Sequence, residues 1–283
     1  MNALVTGITG FVGSHLAEHL QCRGDVVTGV SRRPLRREHA SSETVSRIVW
    51  DLAAVDADRS LVDRLETHFA GAGPDVIYHL AAESIPAACG GGGDPTPVAW
   101  RANVEGTRRV LELAAALRRP PRVVLFSSSH VYGAVDASSP PVDENTLAVP
   151  RSAYGRTKLA AEVLGAVGVA RRALDVVLLR SFMLAGPGQD GRLMLPEWAA
   201  QFARGGAGPV EVGSLEVRLD MVDVRDAVRA FRLVALHGAS GGTYNVGSGR
   251  GRMSGEVFDE LRSAAAAAGL PDADREVRPT RPG

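Results

Sequence analysis

Short apolar runs alternate along the chain with longer amphipathic stretches. Six runs have the length and continuous apolarity typical of strands buried on both faces. They are Ala3 to Val5, Val26 to Val30, Ile48 to Trp50, Val76 to Leu80, Val123 to Phe126 and Val176 to Leu179. Helical periodicity lies between them, at residues 13–22 and 104–118. This alternation predicts an α/β fold with a doubly wound parallel sheet.

The pattern loosens after about Phe182. Turns rich in Gly and Pro precede a helix at 196–204, a short strand pair near 210–222 and a further helix from Val224. We therefore expect two domains, a larger one at 1–182 and, mainly within 183–283, a smaller C-terminal α/β substrate-binding lobe that is interleaved with the first.

Charge is balanced over the 283 residues, with 32 Lys plus Arg and 32 Asp plus Glu. Without a net field to hold a polyanion or an acidic bilayer, we expect neither nucleic acid nor a membrane as partner. The sequence has no apolar run of membrane-spanning length, so a cytoplasmic protein is expected. Cys22 and Cys89 lack the spacing of a disulfide framework or a metal site, and we expect no metal.

A glycine-rich turn, Thr6-Gly7-Ile8-Thr9-Gly10-Phe11-Val12-Gly13, joins the first strand to the first helix. Glycines let the backbone turn tightly and approach a pyrophosphate, whose charge the helix N-terminus stabilises. The turn predicts a dinucleotide site with contributions from Gly7, Thr9, Gly10, Phe11 and Val12.

The end of the second strand indicates which dinucleotide binds. NAD enzymes usually place a carboxylate there, but this chain has Ser31-Arg32-Arg33. A hydroxyl and guanidinium groups suit a 2′-phosphate, so NADP(H) is preferred over NAD(H). The alternative is a solvated basic loop, since Arg36 and Arg37 continue the run. Asp51-Leu52, after the third strand, is expected at the adenine edge.

Tyr154 and Lys158 are four residues apart and share one helical face. An ammonium there is expected to lower the pKa of the phenol and ease proton exchange. Lys158 is the only lysine of the chain, which indicates that an ammonium is needed where guanidinium serves elsewhere.

The fifth strand ends in Ser127-Ser128-Ser129-His130, at the sheet edge where α/β proteins bind ligands. One serine can hydrogen-bond a substrate carbonyl there, or these serines cap a turn. His130 can act as an acid or base, or it has a structural or substrate-orienting role.

Several motifs together resemble the extended short-chain dehydrogenase/reductases, the NAD-dependent epimerase/dehydratase family. They are Gly7-x-x-Gly10-Phe11-x-Gly13, His79-Leu80-Ala81-Ala82, Asn103-Val104-x-Gly106-Thr107, Ser128 and Tyr154-x-x-x-Lys158. The segments 186–189, 212–216, 223–226 and 244–249 further resemble the GDP-4-keto-6-deoxymannose reductases and the related GDP-mannose 4,6-dehydratases. The resemblance implies a Rossmann fold.

The resemblance also implies roles for individual residues. Ser128 and Tyr154 would hold the substrate carbonyl, Lys158 would bind the nicotinamide ribose, and Asn103 would support the fourth strand. Further cofactor contacts are expected from Leu80, Ala81, Ala82, Asn103, Ser127 and Phe182. Substrate contacts are expected from Ser84, Ser129, His130, Met183, Leu195, Val212, Arg218 and Arg278.

Dehydratases of the family carry an acidic residue two positions after Ser128, where this chain has Ser129-His130. Because simple carbonyl reduction needs only a proton donor, the sequence favours an NADPH-linked reductase of a nucleotide-linked 4-keto-6-deoxyhexose. A sugar-nucleotide 4-epimerase, a reductase of a non-sugar ketone and a non-catalytic NADP(H)-binding module stay open as alternatives.

Some positions depart from the family pattern. Met183 and Leu184 stand where Asn and His are usual, and the phosphate-contacting arginine would fall at Leu219 rather than Arg218. Members usually continue beyond an Arg-Pro motif like the one at Arg278, so a C-terminal segment is expected to be missing or disordered. By analogy, helices at 103–118 and 153–167 would form a homodimer.

Overall fold

The computed structural model describes residues 1–32, 45–54, 59–71, 73–135, 140–206, 208–270 and 275–280. The strands within these ranges are β1 (Asn2–Thr6), β2 (Val26–Ser31), β3 (Ser46–Val49), β4 (Val76–His79), β5 (Arg122–Ser128), β6 (Val176–Ser181), β7 (Met183–Ala185), β8 (Val210–Val212), β9 (Arg218–Asp223), β10 (Thr243–Val246), β11 (Gly251–Met253) and β12 (Val277–Pro279).

The helices of the same ranges are α1 (Phe11–Cys22), α2 (Arg59–His68), α3 (Pro86–Cys89), α4 (Pro97–Trp100), α5 (Gly106–Ala116), α6 (Ala153–Arg172), α7 (Met194–Arg204), α8 (Val224–His237) and α9 (Ser254–Ala267). A π-helical turn, Arg101–Glu105, joins α4 to α5, and a 3₁₀ turn, Ser129–Val131, follows β5. No helix in the described ranges combines the length and apolarity needed to cross a bilayer.

Seven parallel strands form the main sheet of the described structure, in the order β10-β6-β5-β4-β1-β2-β3. All six predicted strands are confirmed. The chain winds outward from β1 to β3 and then in the opposite direction from β4 to β6. The winding therefore reverses between β1 and β4, and their carboxyl ends flank the crevice in which such sheets bind ligands.

Side chains in register across the sheet build the core of this unit. Leu4, Ile77, Val123 and Val176 lie side by side on four neighbouring strands, and each is at most 1% exposed. Val110 and other apolar side chains of α5 pack against this layer. Strands buried in this way must be apolar throughout, which explains why the apolar runs identified them.

The chain divides into two compact units. The first comprises 1–182 and 225–246, and the second comprises 183–224 and 247–283. The return of the chain brings β10 beside β6 as the seventh strand, a position the apolar pattern did not predict. The ring of Phe231 packs edge-on against Phe126, with 4.6 Å between centroids, and fixes α8 on the sheet of the first unit.

The second unit has its own aromatic core, in which Trp198 of α7 packs edge-on against Phe258 of α9. The predicted strand pair near 210–222 is wrong. β8 instead pairs with β12, while β9 lies between β7 and β11. The partners come from distant parts of the sequence, so local alternation could not identify them.

Candidate active site

The turn between β1 and α1 requires glycine at two positions. Gly7 has a φ of +72°, and a Cβ there would lie 2.8 Å from the nitrogen of Ala81. A Cβ on Gly13 would lie 2.2 Å from the carbonyl oxygen of Gly7. α1 begins after Gly10, which has no side chain to cap the first amides, so these N–H groups can receive an anion. The turn fits a dinucleotide pyrophosphate.

The residues expected around the adenosine lie at the ends of β2 and β3. Ser31 ends β2, Arg32 follows it and is exposed, and Arg33 lies outside the described residues. The Asp51 carboxylate accepts a hydrogen bond from the amide of Ala53, 3.0 Å away. The Leu52 side chain belongs to the hydrophobic core. Its place in the core makes Leu52 a packing residue of this edge.

The segment after β4 is fastened to its surroundings by side chains. The amide of Ala81 donates to the hydroxyl of Thr6, at 3.2 Å. Asn103 is 2% exposed and binds both backbone groups of Glu83: Oδ1 accepts from the amide at 2.7 Å, and Nδ2 donates to the carbonyl at 3.0 Å. Nδ2 also donates to Thr157. Both amide protons of Asn103 are thus taken by protein partners, which argues against its expected contact with cofactor.

Ser128 and Tyr154 meet at the carboxyl end of β5. Ser128 is the last residue of the strand, and Tyr154 lies in the first turn of α6, whose start is capped by the hydroxyl of Ser152. A hydrogen bond joins the hydroxyl of Ser128 to the phenol of Tyr154. Two groups that can both bond one carbonyl oxygen are therefore adjacent.

Burial raises the pKa of Tyr154 above its ordinary value, and the hydrogen bond with Ser128 offsets only part of this rise. The prediction that Lys158 lowers this pKa is wrong. Nζ of Lys158 lies 5.8 Å from the centroid of the tyrosine ring, and loss of water around the phenol dominates. Tyr154 is therefore held as a neutral phenol, the form that can donate a proton.

Lys158 is 7% exposed, and its ammonium donates to the carbonyl oxygen of Phe126 at 2.8 Å. Burial lowers the pKa of Lys158 to about 8, although Cys89 and Glu162 act in the opposite direction. At neutral pH the side chain still carries its charge, one helical turn from Tyr154.

His130 lies beside this pair. Its ring packs edge-on against Tyr154, with 5.4 Å between centroids, and Nδ1 is 3.3 Å from the hydroxyl oxygen of Ser152. Loss of water around the imidazole lowers the pKa of His130. Ser127 is 6% exposed, and its hydroxyl has no hydrogen-bond partner within the described ranges. A buried hydroxyl in that state suits a ligand at this edge.

The remaining candidates of the first unit lie around the same strand ends. The amide of Phe182 donates to the carbonyl of Val246 at 2.9 Å, which fixes Phe182 directly after β6. Ser84 is exposed, and Leu80, Ala82 and Ser129 are partly buried. These residues follow β4, β5 and β6 at the carboxyl edge of the sheet.

Sequence analysis did not identify a buried ion pair one turn beyond Lys158. Arg180 of β6 binds the carboxylate of Glu162 through Nε at 3.0 Å and Nη2 at 2.8 Å. Arg180 also donates to the phenol oxygen of Tyr132 at 3.1 Å. Glu162 continues the helical face of Tyr154 and Lys158, and that spacing was the available signal.

The expected substrate contacts of the second unit do not share one surface. Met183 is in register with Met221, three residues after Arg218, so Met183 and Arg218 lie on opposite faces of their sheet. Val212 is 1% exposed, and its carbonyl accepts from Thr280. The expectation that Val212 contacts substrate is wrong, because its side chain forms part of the aromatic core.

The last two candidates occupy different surroundings. Leu195 packs against the same aromatic core from α7. Arg278 is exposed and lies in register with Glu211 across the β8–β12 pair. Of the eight expected substrate residues, His130 has the most direct contact with Tyr154.

Residues 3–247 match the NAD dependent epimerase/dehydratase family. The chain belongs to this family. The match covers most of the first unit and confirms both the resemblance and the Rossmann fold, and it establishes a nicotinamide-dependent enzyme.

Several individual relatives are similar over almost the whole chain. GDP-6-deoxy-D-mannose reductase of Pseudomonas aeruginosa is 30% identical over 266 residues, which cover 92% of this chain and 79% of the relative. The structure of MoeE5 in complex with UDP-glucose and NAD is 33% identical, with a TM-score of 0.78 over 99% of this chain and 85% of that one. The structure of RMD from Pseudomonas aeruginosa complexed with NADPH is 26% identical, with a TM-score of 0.77 over 99% and 87%.

Proposed function

We propose that this enzyme uses NADPH to reduce the 4-keto group of a nucleotide-linked 4-keto-6-deoxyhexose of the GDP-4-keto-6-deoxymannose kind. The observation that carries the proposal is the hydrogen-bonded pair of Ser128 and Tyr154, in which burial keeps the tyrosine protonated. In this proposal the first unit binds the dinucleotide, and the second unit contributes substrate-binding surface.

Binding of the dinucleotide falls to the turn after β1 and to the end of β2. Amides at the start of α1 would hold the pyrophosphate, while Ser31, Arg32 and Arg33 would bind the 2′-phosphate through charge-assisted hydrogen bonds. When bound, the nicotinamide supplies a hydride. The ammonium of Lys158 would bind the ribose hydroxyls, for which a compact cation with three donors is suited.

Proton transfer falls to Tyr154. As negative charge develops on the carbonyl oxygen, the phenol would donate its proton and the hydroxyl of Ser128 would donate a hydrogen bond. Lys158 then stabilises the phenolate that forms, because its positive charge lies 5.8 Å from the ring centroid. A general acid of this kind contributes on the order of 10²–10⁴ in rate.

Reduction is favoured over dehydration by the residue at position 130. Elimination of water needs a carboxylate that abstracts one proton and returns another, and an imidazole occupies the position where family dehydratases carry the acid. The hydrogen bond to Ser152 and the low pKa of His130 keep the ring neutral near pH 7. The similarity to GDP-6-deoxy-D-mannose reductase and to the NADPH complex of RMD supports the same proposal.

The proposal is tested by mixing the purified enzyme with NADPH and a panel of GDP-, UDP- and dTDP-linked 4-keto-6-deoxyhexoses. We expect oxidation of NADPH with at least one member, in equal amount to the deoxysugar formed. Binding of NADPH without turnover of any member would contradict the proposal and favour a non-catalytic module. Failure of free GDP, UDP and dTDP to inhibit reduction of another ketone would favour a non-sugar substrate.

A sugar-nucleotide 4-epimerase is the second candidate. It is favoured by the 33% identity to MoeE5, whose structure contains UDP-glucose and NAD. An epimerase oxidises and reduces the same carbon, so its cofactor undergoes no net change. NAD that copurifies with the protein, together with interconversion of UDP-hexoses and no net oxidation of NADPH, would establish this alternative.

A further inference from the structure

Thr157 lies between Tyr154 and Lys158 on α6 and is fully buried. Its hydroxyl donates to the carbonyl oxygen of Tyr154 at 2.8 Å and accepts from Nδ2 of Asn103 at 2.9 Å. The backbone of the proposed proton donor is therefore tied through one hydroxyl to a side chain outside its own helix.

Asn103 ties a second segment to the same point. Its amide clamps both backbone groups of Glu83, at 2.7 and 3.0 Å, and so fixes the peptide that continues from Leu80–Ala82. Asn103 lies in the π-helical turn Arg101–Glu105, a local widening of the helix often found at functional sites. One side chain thus joins the strand exit expected to line the cofactor channel to the helix that carries Tyr154.

His79 extends this connection to β1. Nδ1 lies 2.8 Å from the hydroxyl oxygen of Thr6, and Nε2 lies 3.1 Å from that of Thr107. Thr107 donates its only hydroxyl proton to the carbonyl of Asn103 at 2.6 Å, so it accepts from Nε2–H and His79 is the neutral Nε2–H tautomer. Burial lowers the pKa of His79 to about 3, which keeps it neutral. The chain of bonds is continuous from β1 to α6.

We propose that Asn103 and Thr157 are positioning residues, which set the distance between Tyr154 and the segment Leu80–Glu83 and thereby align proton donor and cofactor. The proposal rests on the function proposed above, since it assigns Tyr154 as the proton donor. Groups held by buried, fully used hydrogen bonds have few alternative arrangements. A displacement of about 1 Å between reacting groups can lower the rate by about a hundredfold.

The test compares Thr157→Val with Thr157→Ser. Valine keeps the volume and loses the hydroxyl, whereas serine keeps the hydroxyl and loses a methyl group. Thr28→Val is the matched control, because Thr28 is also fully buried and its hydroxyl bonds His68, 2.8 Å away on α2. Two quantities are measured: amide hydrogen exchange of the free protein, and kcat and KM with NADPH and GDP-4-keto-6-deoxymannose.

In Thr157→Val we expect faster exchange both at the start of α6 and at the amide of Glu83. We also expect kcat to fall by about tenfold or more while the KM for NADPH changes by less than about threefold. Thr157→Ser should behave like the wild type in both measurements. Thr28→Val should change neither the two segments nor kcat.

The proposal is overturned if Thr157→Val leaves exchange and kcat unchanged, or if the serine variant loses as much as the valine variant. The second result would assign the effect to packing of the methyl group. Tyr154→Phe is measured in parallel with the same substrates. Full turnover by that variant would refute the proton donor, whereas the exchange data test the connection through Asn103 without any substrate.

Discussion

The ammonium nitrogen of Lys158 lies 2.8 Å from the carbonyl oxygen of Phe126, so the one lysine of the chain is anchored to the strand that ends in Ser128. This bond fixes a positive charge beneath the phenol of Tyr154. Because burial brings the pKa of Lys158 to about 8, the charge is lost within an accessible pH range.

We predict that reductase activity falls as pH rises through about 8. The phenolate left after proton transfer then lacks its stabilising cation, and kcat should fall about tenfold per pH unit on this limb. Lys158→Met should have low activity at all pH values and should lack the limb. A wild-type profile that stays flat to pH 9.5 would contradict the assigned role of Lys158.

Stability should change in the opposite direction over the same range. The folded protein releases the Lys158 proton near pH 8, whereas the unfolded chain keeps it to about 10.5, so the unfolded state binds more protons between these values. The free energy of unfolding of the wild type, relative to Lys158→Met, should therefore rise from pH 8 to 10. Urea unfolding at several pH values measures this difference, and a relative decrease would contradict the burial of the ammonium.

Gly13→Ala should abolish tight dinucleotide binding. The added Cβ would lie 2.2 Å from the carbonyl oxygen of Gly7 and would push α1 away from the turn. We expect the Kd for NADPH to rise at least about tenfold and stability to fall by about 1–3 kcal/mol. Gly191→Ala is the matched control, because a Cβ there meets no atom within 4 Å. Equal NADPH affinity in the two variants would refute the pyrophosphate site.

Arg32→Glu should reverse the choice of cofactor. Its carboxylate would repel a 2′-phosphate and accept hydrogen bonds from the free ribose hydroxyls of NAD(H). We expect the Kd for NADPH to rise about tenfold or more, with little change or a gain for NADH. Arg23→Glu makes the same charge change at the other end of α1 and should change neither affinity. NADPH affinity that survives in Arg32→Glu would show that this end of β2 does not bind the 2′-phosphate.

Glu162→Gln should destabilise the fold strongly. The side chains of Arg180 and Glu162 are 10% and 6% exposed, and loss of the carboxylate leaves a buried guanidinium without its counter-charge. We expect about 3 kcal/mol less stability in urea unfolding. Glu162→Gln combined with Arg180→Met should recover part of that loss. Glu260→Gln, at an exposed pair with Arg252, should change stability little; an equal loss there would refute the importance of burial.

Local signals in the sequence predicted most of the first unit. The apolar runs identified six strands because strands covered on both faces must be apolar, and the glycine turn was recognisable because Gly7 and Gly13 leave no room for a Cβ. β10 was missed because it joins the sheet only after the chain has passed through the second unit.

The chemistry of the site was predicted less completely. The spacing of Tyr154 and Lys158 indicated the pair, but the pKa of Tyr154 depends on how far burial outweighs the nearby charge, and spacing carries no information about burial. Asn103 was expected to contact the cofactor, while the structure commits its amide to Glu83 and Thr157. Such hydrogen bonds join residues 20 and 54 positions apart and leave no periodic trace.

The most direct test of the central claim is transfer of deuterium from NADPH labelled at the 4-position of the nicotinamide ring. The labelled cofactor is incubated with GDP-4-keto-6-deoxymannose and the enzyme, and the sugar is analysed by mass spectrometry and NMR. A reductase that uses Tyr154 as proton donor should give one deuterium on carbon 4, and Tyr154→Phe should slow this transfer by about a hundredfold or more. Absence of deuterium from the sugar, with NAD retained in the protein and its sugar nucleotide epimerised, would contradict the reductase account.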